Sequence, residues 1–90
     1  MAHTFDELVE MQRAADQAHN RVEELRAQYG SPTQPGGWSA RQTETYETAW
    51  RAWRDLARDM QGAVTEYAAA TRAPRREVEE ELRKQVRSSE

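Results

Sequence analysis

Residues 30–38 read GSPTQPGGW, and the apolar residues on either side of them keep one spacing of three and four. Before the break stand Leu8, Met11, Ala15, Ala18, Val22, Leu25 and Tyr29; after it stand Tyr46, Ala49, Trp53, Leu56, Met60, Ala63, Tyr67 and Ala70. Residues so spaced share one face of an α-helix, because about 3.6 residues make a turn. Two prolines and three glycines can continue neither helix, so the break is a turn. The pattern predicts an all-α antiparallel helical hairpin, coiled-coil-like, over residues 1–73.

The ends of both helices are marked as well. Thr4 with Glu7, and Ser39 with Gln42, have the spacing of capping boxes, in which each side chain satisfies a backbone amide of the other residue. Asp6 and Glu7 also suit the positive end of a helix dipole. Helix one is expected at about 5–29, the loop at 30–38 and helix two at about 39–72, with no breaker before Pro74. At 1.5 Å per residue the helices would measure about 37 and about 50 Å. Trp38, just ahead of the second cap, is placed to fold its ring over the hairpin's end.

A symmetric loop would set Tyr46 against Val22, Trp50 against Ala18, Trp53 against Ala15, Ala57 against Met11, Met60 against Leu8 and Val64 near Phe5. Large then meets small at each level, as close packing requires. A second stripe remains on helix two: Ala49, Leu56, Ala63, Tyr67 and Ala70. One neighbouring helix cannot cover both stripes, so this one is expected to be a partner interface. Its cover is either a folded-back tail or a second copy of the chain, and a homodimer would form a four-helix bundle.

Residues 74–90 form a charged C-terminal helix or tail. Pro74 suits a first helical position, Glu79 with Arg83 and Glu80 with Lys84 are spaced as i,i+4 pairs, and Val78, Leu82 and Val86 make a narrow apolar stripe. The expectation is a short third helix that docks lightly or extends into solvent.

Composition excludes several function classes. Fourteen alanines leave few large apolar side chains for 90 residues, so one small domain is the count. Thirteen basic against sixteen acidic residues, a net charge of −3, disfavour nucleic acid as a partner. Without cysteine there is neither a disulfide nor a thiolate metal site. The sequence has neither an 18-residue apolar run nor a charged-then-apolar amino terminus, which points to a soluble, cytoplasmic chain without a membrane partner. Twelve arginines against one lysine, with no isoleucine, resemble the codon bias of a G+C-rich bacterium.

Chemistry-bearing residues are sparse. His3 and His19 lack zinc spacing, and His19 beside Asp16 and Glu23 reads as a solvated imidazole. Glu77, Glu79, Glu80 and Glu81 fan around a helix with basic residues one turn away, which describes a solvated face. No nucleophile–base set, phosphate loop or recessed carboxylate pair can be assembled, so neither catalysis nor a cofactor or metal is expected. Residues 50–59 interleave tryptophan and arginine as a nucleic-acid surface does, but Trp50 and Trp53 fall on the expected core face, and Arg51 can pair with Asp55. Arg72, Arg75 and Arg76 around Pro74 form a basic cluster suited to an anion contact.

Two helices with a tryptophan at the turn resemble the WXG100 proteins, small helical hairpins secreted by specialised systems of Gram-positive bacteria. The turn here reads Trp38-Ser39-Ala40 where that family has glycine third, and Tyr67 is followed four residues on by Thr71 where its export signal has Asp or Glu. The resemblance implies a secreted hairpin. The residues themselves imply a non-enzymatic helical interaction or assembly module that self-associates and has room for a further protein partner; a nucleic-acid-associated accessory factor is the third reading.

Overall fold

The structure is a computed structural model that describes residues 3–31, 33 and 36–88. Over them the chain forms three α-helices and no strand: α1 Phe5–Tyr29, α2 Ala40–Thr71 and α3 Arg75–Ser88. Pro32, Gln34 and Pro35 of the expected loop, and residues 89–90 of the expected tail, lie outside the described residues. The molecule measures 53 × 25 × 17 Å, and α1 and α2 pack most closely.

Both capping boxes form. Thr4 N donates to Glu7 Oε1 and Glu7 N to Thr4 Oγ1, each at 3.2 Å. Ser39 N donates to Gln42 Oε1 at 2.9 Å and Gln42 N to Ser39 Oγ at 3.1 Å. At the far end of α2, Ala73 N donates to Ala68 O and Arg72 N to Ala69 O, a Schellman closure. That closure puts Arg72 in the left-handed region, at φ 56 and ψ 33, a place more comfortable for glycine. Pro74 stands one residue before α3, where its carbonyl accepts from Glu77 and Val78.

Aromatic contacts fix the register. Phe5 meets Tyr67 with ring centres 5.9 Å apart, and His19 meets Trp53 at 4.6 Å. Both pairs lie about one helical turn from the register a symmetric loop would give. The cause is Trp38: its Nε1 donates to Gly30 O at 3.0 Å, and its ring packs edge-on against both Tyr29 and Tyr46. This ladder of three rings sets Tyr46 against the loop tryptophan rather than against Val22, and α2 begins about one turn beyond the end of α1.

The main core sits at the end remote from the loop. Leu8 and Val9 of α1, Met60, Ala63, Val64 and Ala68 of α2, and Val78, Leu82 and Val86 of α3 form one buried cluster, with Phe5, Met11, Tyr67 and Ala73 packed against it. The tail therefore neither extends into solvent nor docks lightly. Its residues Val78, Leu82 and Val86 are only 5%, 3% and 9% exposed. Three apolar residues suffice because they repeat once per turn and all enter one groove. Arg75 adds a polar clasp, donating to Glu79 on its own helix and to Gln61 and Thr65 on α2. Glu79 is thus paired with the arginine before it rather than with Arg83.

Two outcomes follow from this fold. Leu82→Ala should cost about 2–4 kcal/mol, the range for deleting a buried leucine side chain. Cutting the chain after Ala73 should cost still more, and chemical denaturation of the three proteins measures both; a loss below about 1 kcal/mol would mean that α3 is not part of the core. The second concerns pH. His3 Nδ1 lies 3.1 Å from Glu7 Oε2, and this contact, with the Thr4 amide and then the Thr4 side chain, holds the exposed Glu7 carboxyl below its ordinary value. A lowered folded value means that the contribution is complete above the unfolded value and fades as pH falls through the folded one. Melts between neutral and acidic pH should show a smaller acid loss in Glu7→Gln, whose amide retains the box.

Candidate functional site

The α3 helix closes only one end of the hairpin. Toward the loop the molecule is two helices thick, and the apolar residues of α2 there have no third neighbour to cover them. Trp50 is 39% exposed, while Ala49, Trp53 and Leu56 are half-buried. On one side of this half, Leu25, Thr45, Thr48, Ala49 and Ala52 line a shallow cleft with Arg21 and Glu44 at its rim. Its floor is made by the small side chains Ala49 and Ala52 with Leu25 of α1, which is only 1% exposed.

The expected interface stripe is divided by this arrangement. Ala49, in the cleft, and Leu56, two turns further along α2, are both half-buried. Ala63 is buried in the core cluster, Tyr67 is half-buried against Phe5, and Ala70 is exposed at the far end. A partner can therefore reach Ala49 and Leu56 together, but not Ala63 while the core is intact. Ala52, absent from the expected stripe, lies exposed in the same cleft. Its position three residues after Ala49 is a signal the sequence carried, hidden by the number of alanines.

Trp50 departs from expectation most. It lies outside the core, with the Arg54 guanidinium carbon 5.0 Å from its ring centre. Trp53 is on the seam against His19, and Trp50, three residues earlier, lies about 60° around the helix and so on the flank. The arginines beside it are balanced: Arg51 lies 3.7 Å from Glu47, not paired with Asp55, and Arg54 lies 3.9 Å from Asp55. Exposed pairs at such distances contribute little energy, yet they cancel local positive charge.

The remaining candidate residues separate. Arg75 is taken by the clasp to α2, while Arg72 and Arg76 are exposed on either side of it, so the structure does not converge the three guanidinium groups. His19 lies against Trp53 with Nε2 3.7 Å from Glu23. Glu77, Glu80 and Glu81 are exposed on α3, and Glu79 is held by Arg75. Among the described residues, no group of three or more His, Asp or Glu side chains is arranged to hold a metal ion. None of the described helices is long and apolar enough to cross a membrane.

No protein-family model, curated protein or solved structure matches this chain.

The balanced charge around Trp50 makes a definite statement about nucleic acid. Duplex DNA should bind no more tightly than roughly 10⁻⁴ to 10⁻⁶ M at physiological salt, the range of nonspecific contacts. Fluorescence anisotropy with a labelled duplex measures it. Submicromolar affinity with a steep salt dependence would make Trp50 and its arginines a stacking surface instead.

Proposed function

We propose that the protein is a non-enzymatic helical assembly module that associates with a second copy of itself through the open cleft on α2. The observation that carries this reading is the uncovered apolar cleft at the two-helix end, formed by Ala49 and Ala52 with Leu56 beside them. Alanine and threonine side chains let a second helix approach closely, and an isologous contact needs a face that complements itself. Arg21 and Glu44 supply both signs of charge on the rim of this cleft. A two-fold axis through the cleft can bring the arginine of one copy to the glutamate of the other. Four helices would then share a layer where one copy has two.

The cytoplasm is the compartment this proposal assumes, and a further protein partner belongs to it as well. A second reading, a WXG100-like secreted hairpin, draws on the tryptophan at the turn. In this structure Trp38 is held between Tyr29 and Tyr46, so its visible task is to cap the hairpin.

Light scattering tests the assembly. The wild type should appear at about twice the chain mass of 10.4 kDa in the tens of micromolar. Ala52→Glu places a charge in the middle of the cleft at an exposed position, and should give a monomer with the thermal melt of a folded chain. A wild type that remains monomeric at several hundred micromolar, or an unchanged dimer in Ala52→Glu, removes this interface.

A further inference from the structure

The chain reverses between α2 and α3 over three residues, Arg72, Ala73 and Pro74. A proline has its own φ fixed and disfavours the helical region for the residue before it, so Pro74 and Ala73 have little freedom to turn the chain. Arg72 makes the turn, at φ 56 and ψ 33, and among the described residues it is the only one other than glycine with a positive φ. A left-handed arginine is strained, and it is held there by the contacts that α3 makes once returned to the hairpin. Rotation at this one residue would carry α3 off the end of the hairpin.

What holds α3 in place lies between α3 and the other two helices. Val78, Leu82 and Val86 enter the cluster with Leu8 and Val9 of α1 and with Met60, Val64 and Ala68 of α2. Arg75 donates to Gln61 and Thr65 of α2, and Arg83, Val86 and Arg87 share a cleft with Gln12 and Asp16 of α1. The hinge itself supplies only the two backbone bonds of the Schellman closure and the packing of Ala73. The site that α3 fills is therefore complete without the hinge, and the α3 helix of a second copy can satisfy every contact across it.

We propose that two copies of the chain exchange their α3 helices, each filling the groove of the other with the hinge at Arg72 opened. Short hinges under strain favour such an exchange, since the dimer keeps the helix contacts and relieves the strain twice. From Thr71 to Arg75 an extended chain spans about 13 Å, so the exchange needs the last turns of two α2 helices side by side. Those turns carry Ala69 and Ala70, both exposed, whose small side chains permit the approach. A closed chain offers α3 to its own groove at an effective concentration on the order of millimolar, so a second copy competes during folding, while grooves are empty, rather than between folded chains. This contact lies at the end of the hairpin remote from the loop, and it stands whether or not the cleft on α2 self-associates.

Ala52→Glu chains, whose α2 cleft carries a charge, separate this contact from the other. Unfolded in guanidinium and refolded by dilution at about 1 mM, they should yield a species of twice the 10.4 kDa chain mass beside the monomer, whereas refolding at about 10 μM should yield the monomer alone. Arg72→Gly, which takes the left-handed turn without strain, should lower the association constant roughly tenfold or more, because each dimer opens two hinges. The chain has no cysteine, so Gln12→Cys on one chain and Arg83→Cys on another, at positions that line one cleft in the closed structure, report the exchange. Refolded together at about 1 mM, these chains should give dimers that a short bis-maleimide joins, and the same chains refolded apart and then mixed should stay unjoined. Monomer alone after refolding at about 1 mM overturns the proposal. So does a dimer that Arg72→Gly fails to weaken, and so does one in which the two cysteines cannot be joined, since its α3 helices have then stayed in their own grooves.

Discussion

A single groove between two alanine-rich helices, and the need to fill it, governs the rest of this structure. Two helices in contact share a seam but leave a furrow on each flank, and a chain with few large apolar residues cannot close those furrows by itself. At one end α3 does so with Val78, Leu82 and Val86, and there the side chains of three helices reach full burial. Leu8 and Leu25 are the largest residues completely removed from solvent, and only Leu8 lies in the three-helix cluster. Leu25 is buried nearer the loop end, where α2 overhangs α1.

That overhang follows from Trp38. Its indole N–H satisfies the Gly30 carbonyl at the end of α1, and its ring then lies between two tyrosines, one from each helix. Edge-on ring pairs of this kind contribute about 0.5–1.5 kcal/mol each beyond the area they bury. The larger effect is geometric. A change of one turn in register replaces every facing pair along the seam, so one side chain in the loop decides that Trp53 meets His19 rather than Ala15.

Local chemistry was legible in the sequence and its long-range consequences were not. Thr4 with Glu7 and Ser39 with Gln42 act within one turn of backbone, so spacing alone identified both caps and placed the helix ends within a residue. Pro74 marked the start of α3 for the same reason. The register depended instead on how a loop tryptophan packs, which no helical period encodes. The tail was misjudged because charge dominates its composition, whereas burial depends on where the few apolar residues point. Of the expected interface, Ala49 and Leu56 remained accessible and Ala63 did not, since periodicity gives the direction of a side chain but not what lies opposite it.

The division into a closed end and an open end also separates the buried core from the uncovered apolar surface. Burial of the nine clustered residues and the Arg75 clasp are confined to the end near α3. The loop end is held by the aromatic ladder and by the seam itself, so its flanks can carry Trp50, Ala49 and Ala52 uncovered without loosening the core. Arg72 makes the turn on which the closed end depends. A left-handed arginine is strained by roughly 1 kcal/mol relative to the helical conformation, and it is retained because the turn it makes returns α3 onto the groove rather than letting α2 run on. Were the chain to continue straight, Val78, Leu82 and Val86 would leave the groove and the three-helix core would be lost.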